Sequence, residues 1–393
     1  MMEHDRSERE ARLTRLLSFL HVDPKNAALL ADIAGLQWSL GQIEEARRHA
    51  GEALFIDAQN RAAHAVLGLI AARASAYEQV VLHLEIALGG EESSSLLSYY
   101  YAHALAMLGD FVRAEAPAQF SVQAQNVPAH APALYIRILH YLGKIEEAIA
   151  YAETLGEQLP PQVGGMLSTL YFDQEDLEKA RDVAAATLKE NGDDADALTT
   201  TGLLALGDMD ARLAQADFER VLRRQPEHGR ALLGQGMSQL LAGDLPAATE
   251  TLERATHTTN MAEHIGTWQI LAWCHILQKN SAAAYQALQR ALELDRNFAE
   301  THGGLAIVAL MRGNLDSAIQ SAKRATQLDR NNFSGHFAQS LIQQISGNPG
   351  RAQAIMEHLL TQPILPDGKT IQAAVAEMLI KSNSSMGNKP TLH

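Results

Sequence analysis

Histidine and cysteine are the residues of this sequence whose chemistry is best suited to catalysis or metal binding. The 393 residues include 16 histidines and one cysteine. Cys274 lies in the apolar run QILAWCHIL, where a buried thiol stays protonated and unreactive. A single cysteine forms neither an internal disulfide nor a thiolate metal cage. We therefore expect Cys274 to serve packing.

The nearest approach to a metal-ligating constellation is formed by His103, His130 and His140. The last two are ten residues apart, which separates them by about 15 Å along one helix, too far to share an ion. The sequence also lacks phosphate-binding, zinc-protease and nucleophile-elbow motifs. These observations predict no catalytic residues, no metal and no cofactor, and so a protein that is not an enzyme.

Charge and hydropathy narrow the class of protein further. Asp and Glu number 46 against 32 Lys and Arg, a net charge of −14, which disfavours binding to nucleic acid because phosphates would be repelled. No apolar stretch is long enough to span a membrane. The start, MMEHDRSERE, does not resemble a signal peptide. We expect a cytoplasmic protein, and the alanine-rich composition suggests a bacterial one.

The elements that position these residues are predicted to be helices in a tandem repeat. Related phrases recur, among them SLGQIEEARRHA, YLGKIEEAIAYA and MRGNLDSAIQSA. Repeats starting at 27, 61, 95, 129, 161, 195, 229, 265, 299 and 333 are 32 to 36 residues long. Position 8 of the repeat is small in nine of ten cases, Ile136 being the exception, and position 20 is Ala in nine of ten, Val80 being the exception. A fixed period of this length is typical of a solenoid.

The small residues have a physical explanation. Each repeat is predicted to form two antiparallel helices, and large side chains at their closest approach would overpack the contact. The turn between the two helices favours a residue that tolerates positive φ. Glycine occupies this turn in six repeats: Gly41, Gly109, Gly143, Gly243, Gly313 and Gly347.

This pattern resembles the tetratricopeptide repeat family, with its small residue at position 8, Ala at position 20 and often Pro at position 32, which here is Pro only at Pro160 and Pro226. The resemblance implies an all-α, right-handed superhelical solenoid of antiparallel helix pairs. We divide the chain into an N-terminal capping helix (1–26), ten repeats (27–366), a C-terminal capping helix (367–382) and a disordered tail (383–393).

In this family, first-helix positions 2, 5, 9 and 12 face inward and contact ligands. Carried onto this sequence, they predict an apolar groove in the C-terminal half, formed by Leu203, Leu206, Leu233, Met237, Leu240, Trp273, Ile276, Ile307, Leu310, Phe337 and Leu341. A secondary groove in the N-terminal half is more polar and contains Tyr99, His103, His130, Arg137 and His140.

The leading hypothesis is a non-catalytic scaffold or chaperone that binds an apolar or amphipathic segment of a partner protein. Family members of this kind act in bacterial secretion and envelope assembly. The alternatives are a peptide-responsive regulator and a self-associating structural protein. The apolar positions themselves could instead be covered by the protein's own segment or serve ordinary repeat packing. If they form a groove, Trp273→Glu with Leu240→Glu should abolish partner binding without unfolding the protein.

Overall fold

A computed structural model describes residues 2–89, 94–156, 159–160, 163–258, 260–361 and 370. Over these residues the chain is built from 21 α-helices and contains no β-strand. The prediction of an all-α solenoid of tetratricopeptide type is confirmed. The predicted C-terminal capping helix and tail lie outside the described residues, apart from Thr370.

The helices alternate along the chain between first and second members of a pair. Their bounds are α1 Met2–Val22, α2 Ala27–Ser39, α3 Ile43–Ile56, α4 Arg61–Arg73, α5 Tyr77–Leu88, α6 Ser95–Met107, α7 Phe111–Gln123, α8 Ala131–Tyr141, α9 Ile145–Leu155, α10 Val163–Asp173, α11 Leu177–Glu190, α12 Ala195–Gly207, α13 Ala211–Arg224, α14 Gly229–Leu241, α15 Leu245–Thr256, α16 Ile265–Leu277, α17 Ser281–Leu294, α18 Ala299–Met311, α19 Leu315–Leu328, α20 Phe333–Ile345 and α21 Pro349–Thr361.

The helices divide into two compact units, Met1–Glu175 and Asp176–His393. In the first unit, α1 packs on α2, and the pairs α2–α3, α4–α5, α6–α7 and α8–α9 stack in order, with α10 against α9. In the second unit, α11 packs on α12, and the pairs from α12–α13 to α20–α21 stack in the same way. Short turns join the helices of each pair and require them to run antiparallel.

The small residues lie where helices approach most closely, for the physical reason given above. A methyl group added to Gly202 would lie 2.7 Å from the Phe218 ring, and one added to Gly236 would lie 2.6 Å from Leu252. The residues at position 20 are buried throughout, including the exception Val80. Bulk at either position would push the paired helices apart.

The turns within the pairs adopt the predicted left-handed backbone. All six turn glycines have positive φ, between 73° and 82°. Ser75, Glu175, Met209 and Lys279 occupy the same place in the other four turns, also with positive φ. The turn therefore imposes the same backbone whichever residue is present.

Candidate functional site

The predicted apolar groove residues line the first helices of the second unit, but none is fully exposed. Leu206 and Ile307 are buried, and the other nine are half-buried. Ten of the eleven belong to hydrophobic clusters shared with neighbouring helices or pack against them. These predicted groove residues therefore also carry much of the packing between repeats.

Trp273 shows this double role most clearly. Its ring centroid lies 6.2 Å from that of Phe333 and 6.1 Å from that of Phe337, and the two phenylalanine rings stack 5.9 Å apart. Leu240 packs against the cluster around Leu271 and Leu288. A glutamate at either place would put a charge among these contacts. The Trp273→Glu, Leu240→Glu variant would therefore test the core as much as the groove.

The aromatic contact joins α16 to α20, and the first helix between them, α18, lies very close to α20. A methyl group on Gly303 of α18 would overlap the backbone of Ser334 and Gly335 at the start of α20. The Glu300 carboxylate accepts hydrogen bonds from the backbone nitrogens of Phe333 (2.6 Å) and Ser334 (3.0 Å), so it caps α20. Glu300, at position 2 of its repeat, therefore binds the first helix of the next repeat.

The most exposed apolar side chains of this face lie at a position that the sequence analysis omitted. Position 13, the last residue of the first helix, is Leu241, Leu277, Met311 and Ile345 in four consecutive repeats. Their exposed fractions are 37%, 53%, 36% and 61%. The signal was present in the sequence as an apolar residue recurring at one repeat position.

In the first unit, part of the predicted secondary groove comes together as an aromatic cluster. The ring centroid of His103 lies 6.1 Å from that of Tyr99 and 5.9 Å from that of Tyr77. Burial, and then the nearby Arg137 guanidinium, lower the pKa of His103. Arg137 is exposed, and its Nη2 lies 3.5 Å from the Met166 sulfur.

The other two residues of this predicted groove lie apart from the cluster. His140 Nε2 lies 2.7 Å from Asp173 Oδ2 at the end of α10, a partner that the sequence analysis did not identify. An open cleft lies beside this pair, lined by Lys144, Glu147 and Gln174 among others. His130 precedes α8 and is exposed. The five residues thus do not form one compact constellation.

The structure assigns packing, not reactivity, to the cysteine. Cys274 is fully buried in the cluster between α16 and its neighbours, and burial raises the pKa of its thiol to about 11. Within the described residues, no group of three or more His, Cys, Asp or Glu side chains could hold a metal ion. Among the described helices, none is both long and apolar enough to cross a membrane.

Comparison with known proteins identifies the repeats. A family model described as tetratricopeptide repeat matches residues 199–260 and 270–333. Among curated proteins, none matches the sequence significantly.

Solved structures extend the likeness in fold along the chain. The Cut9–Hcn1 hetero-tetramer of the APC/C has a chain that is 15% identical, with a TM-score of 0.58, and the match covers 94% of this chain and 81% of that one. Pseudomonas aeruginosa PilF is 17% identical with a TM-score of 0.42, and the match covers 57% of this chain and 97% of that one. A repeat protein from Parabacteroides merdae is 18% identical with a TM-score of 0.39, and covers 63% of this chain and 97% of that one.

Stacked antiparallel helix pairs with small residues at each crossing define an α-solenoid of the kind that serves as a protein–protein interaction scaffold. Proteins of this class are typically non-catalytic. Residues 199–260 and 270–333 thus match the tetratricopeptide repeat family, and the fold of the described residues is that of a tetratricopeptide-type solenoid.

Proposed function

We propose that this protein is a non-catalytic scaffold or chaperone whose second unit binds an apolar or amphipathic segment of a partner protein. The segment would lie on the inner face formed by α12, α14, α16, α18 and α20. The partner is a protein, and neither a cofactor nor nucleic acid takes part.

One observation carries the proposal: large apolar side chains recur on five successive first helices, and most of them keep part of their surface exposed. Contiguous apolar surface of this kind is characteristic of sites that bind another chain. Met237 and Met311 add side chains that adapt to more than one shape. An apolar helix face or strand laid there would remove this surface from water.

The setting of this activity is proposed on the family resemblance. We place the protein in the cytoplasm of a bacterium, where a secretion or envelope-assembly system would supply the partner. The polar first unit, with Tyr99, His103 and Arg137, would contact a second part of the same partner.

The test is affinity capture from the native organism with the full chain, comparing wild type with Met237→Ala plus Leu341→Ala. Both residues lie at position 9 and are half-buried, so alanine shortens the inner face without introducing a charge. We expect one protein to be lost from the variant while its helix content is retained. Limited proteolysis of the captured complex should then leave an apolar or amphipathic fragment bound.

The matched control is Leu213→Ala plus Ile319→Ala, which removes exposed apolar side chains from second helices of the same unit. This control should capture the same partner as wild type. If Met237→Ala plus Leu341→Ala captures the same proteins as wild type, the binding site does not lie on the inner face. Capture of further copies of the chain alone would favour the self-associating protein, and dependence of capture on a small peptide would favour the regulator.

A further inference from the structure

The four residues at position 13 of the second unit form an exposed apolar ridge, which comprises Leu241, Leu277, Met311 and Ile345. Single exposed apolar residues need no explanation, but here one such residue recurs in each of four successive repeats. The ridge does not extend into the preceding repeat, where position 13 is Gly207. In the first unit the same position is Ser39, Arg73, Met107, Tyr141 and Asp173, so a run of four aliphatic or Met residues is found in the second unit alone.

The ridge continues the inner face toward the turns. Position 13 follows position 9 by four residues, so the two side chains lie on the same side of the helix, one turn apart. In the four repeats the pairs are Met237 with Leu241, Trp273 with Leu277, Ile307 with Met311, and Leu341 with Ile345. The position-9 members are buried or half-buried, whereas the ridge members are exposed.

Successive ridge residues are held side by side because the turn of one repeat bonds to the second helix of the preceding repeat. Arg312 Nη2 donates to the Ser281 carbonyl at 2.9 Å, and Gln278 Nε2 donates to Thr249 Oγ1 at 3.0 Å. The first helices α14, α16, α18 and α20 also contact one another in sequence. Packed helices lie about 8–10 Å apart, so the ridge presents one apolar side chain roughly every 10 Å.

We propose that the ridge binds an amphipathic helix of a partner protein, lying across the first helices with apolar side chains seven residues apart. Seven residues of α-helix rise about 10.5 Å, which matches the spacing of the repeats. A helix of about 22 residues would reach all four ridge positions.

Charges beside the ridge specify the partner helix further. Two exposed basic residues lie in the turns: Lys279 is two residues after Leu277, and Arg312 directly follows Met311. The Arg312 guanidinium is held in place by the Ser281 carbonyl and by the Tyr285 ring, whose centroid lies 4.5 Å away. A partner helix with Glu or Asp on the flank that faces these turns would gain charge complementarity in register with the ridge.

This inference rests on the proposed function, because it names the partner surface that the inner face would bind. The chain's own C-terminal stretch fits less well. Residues 369–382 carry two lysines and one glutamate, so they would bring the same charge as Lys279 and Arg312.

The experiment uses two labelled synthetic peptides of 22–24 residues, with leucine at heptad spacing and either glutamates or lysines on the flank. Fluorescence anisotropy measures their affinity for the full chain. We expect the acidic peptide to bind at least tenfold more tightly than the basic one. Leu277→Ser with Ile345→Ser should weaken binding of the acidic peptide at least tenfold. The control, Leu213→Ser with Ile319→Ser on second helices, should change the affinity of that peptide less than twofold.

Charge reversal tests the second half of the inference. Lys279→Glu with Arg312→Glu should abolish or invert the preference for the acidic peptide, while circular dichroism shows retained helix. Equal affinity for the two peptides, no binding of either, or equal losses in ridge and control variants would overturn the inference.

Two further results would assign the ridge to another occupant and overturn the inference. One is binding that appears only after residues 362–393 are removed. The other is a concentration-dependent dimer that the ridge variant loses. The proposed function is decided separately: a captured partner that depends on Met237 and Leu341 but not on the ridge upholds it while this inference fails.

Discussion

Ser75, Glu175, Met209 and Lys279 adopt the left-handed backbone that glycine provides in the other six turns. For a residue with a side chain this conformation costs about 1–2 kcal/mol. Glycine avoids that cost but loses more chain entropy on folding. Replacing one of these residues by glycine therefore raises the free energy of unfolding by only part of the conformational cost. These four turns therefore keep the same backbone as the others although glycine, the residue that adopts it without strain, is absent.

A pair of opposite substitutions in the first unit tests this strain. Ser75→Gly should raise the free energy of unfolding by about 1 kcal/mol, and Gly41→Ser should lower it by a similar amount. Both sites are exposed, and a Cβ at Gly41 would meet no atom within 4 Å, so backbone conformation is the main difference. Urea unfolding measures both changes. Equal signs for the two would refute the assignment of strain to the turn.

At the scale of helices, α18 and α20 approach so closely that a Cβ added to Gly303 would overlap the backbone of α20. The absence of a side chain at Gly303 lets the backbones meet, and the Glu300 carboxylate then reaches the amino end of α20. Trp273 of α16 also contacts Phe333 and Phe337 of α20. Gly303 thus occupies a position where α18 and α20 leave no room for a side chain.

Gly303→Ala is expected to destabilise the protein by about 1–3 kcal/mol, because backbone cannot move aside as a flexible side chain can. The control is Gly207→Ala at the end of α12, where an added methyl meets nothing within 4 Å. Helix propensity makes that change neutral or stabilising by less than about 1 kcal/mol. Thermal unfolding with tryptophan fluorescence measures both. Comparable losses in the two variants would show that α18 and α20 can separate without cost.

On the scale of the whole molecule, buried histidines make folding dependent on pH. Burial lowers the pKa of His49, His83, His103 and His275. The His49 side chain is 4% exposed. Its Nδ1 lies 2.7 Å from Gln37 Oε1, and its Nε2 lies 2.9 Å from Arg48 Nη2. Arginine only donates and the amide oxygen only accepts, so the ring must be neutral, with its proton on Nδ1.

The sign of the effect follows from the lowered pKa. Above the unfolded value of about 6.5 the ring is neutral in both states, and its contribution to stability is complete. Below that value the unfolded chain binds more protons than the folded one, so stability is lost as the pH falls. The free energy of unfolding should therefore decrease from pH 7.5 to pH 5.5.

Urea unfolding across this pH range measures the decrease. The decrease in the free energy of unfolding should be smaller in His49→Gln than in wild type, because glutamine does not titrate. His21→Gln changes an exposed histidine of the same unit and should leave the pH dependence as in wild type. A His49→Gln variant with an unchanged pH dependence would contradict the role given to this ring.

Local sequence patterns are enough to predict the all-helical fold, the period of the repeat, the small residues at the crossings and the left-handed turns. These follow from local geometry, since a crossing excludes bulk and a tight turn requires positive φ wherever they occur. The sequence also predicts an apolar inner face in the C-terminal half, because repeat positions map onto helix faces.

The exposure of each apolar residue, in contrast, depends on tertiary packing between repeats. Trp273, Phe337 and Ile307 occupy inward positions, yet contacts between successive first helices cover much of their surface. The end of each first helix extends beyond these contacts, and so Leu277 and Ile345 stay exposed. Exposure depends on how closely neighbouring helices approach, and that distance is decided by residues in other repeats, such as Gly303, rather than by the position itself.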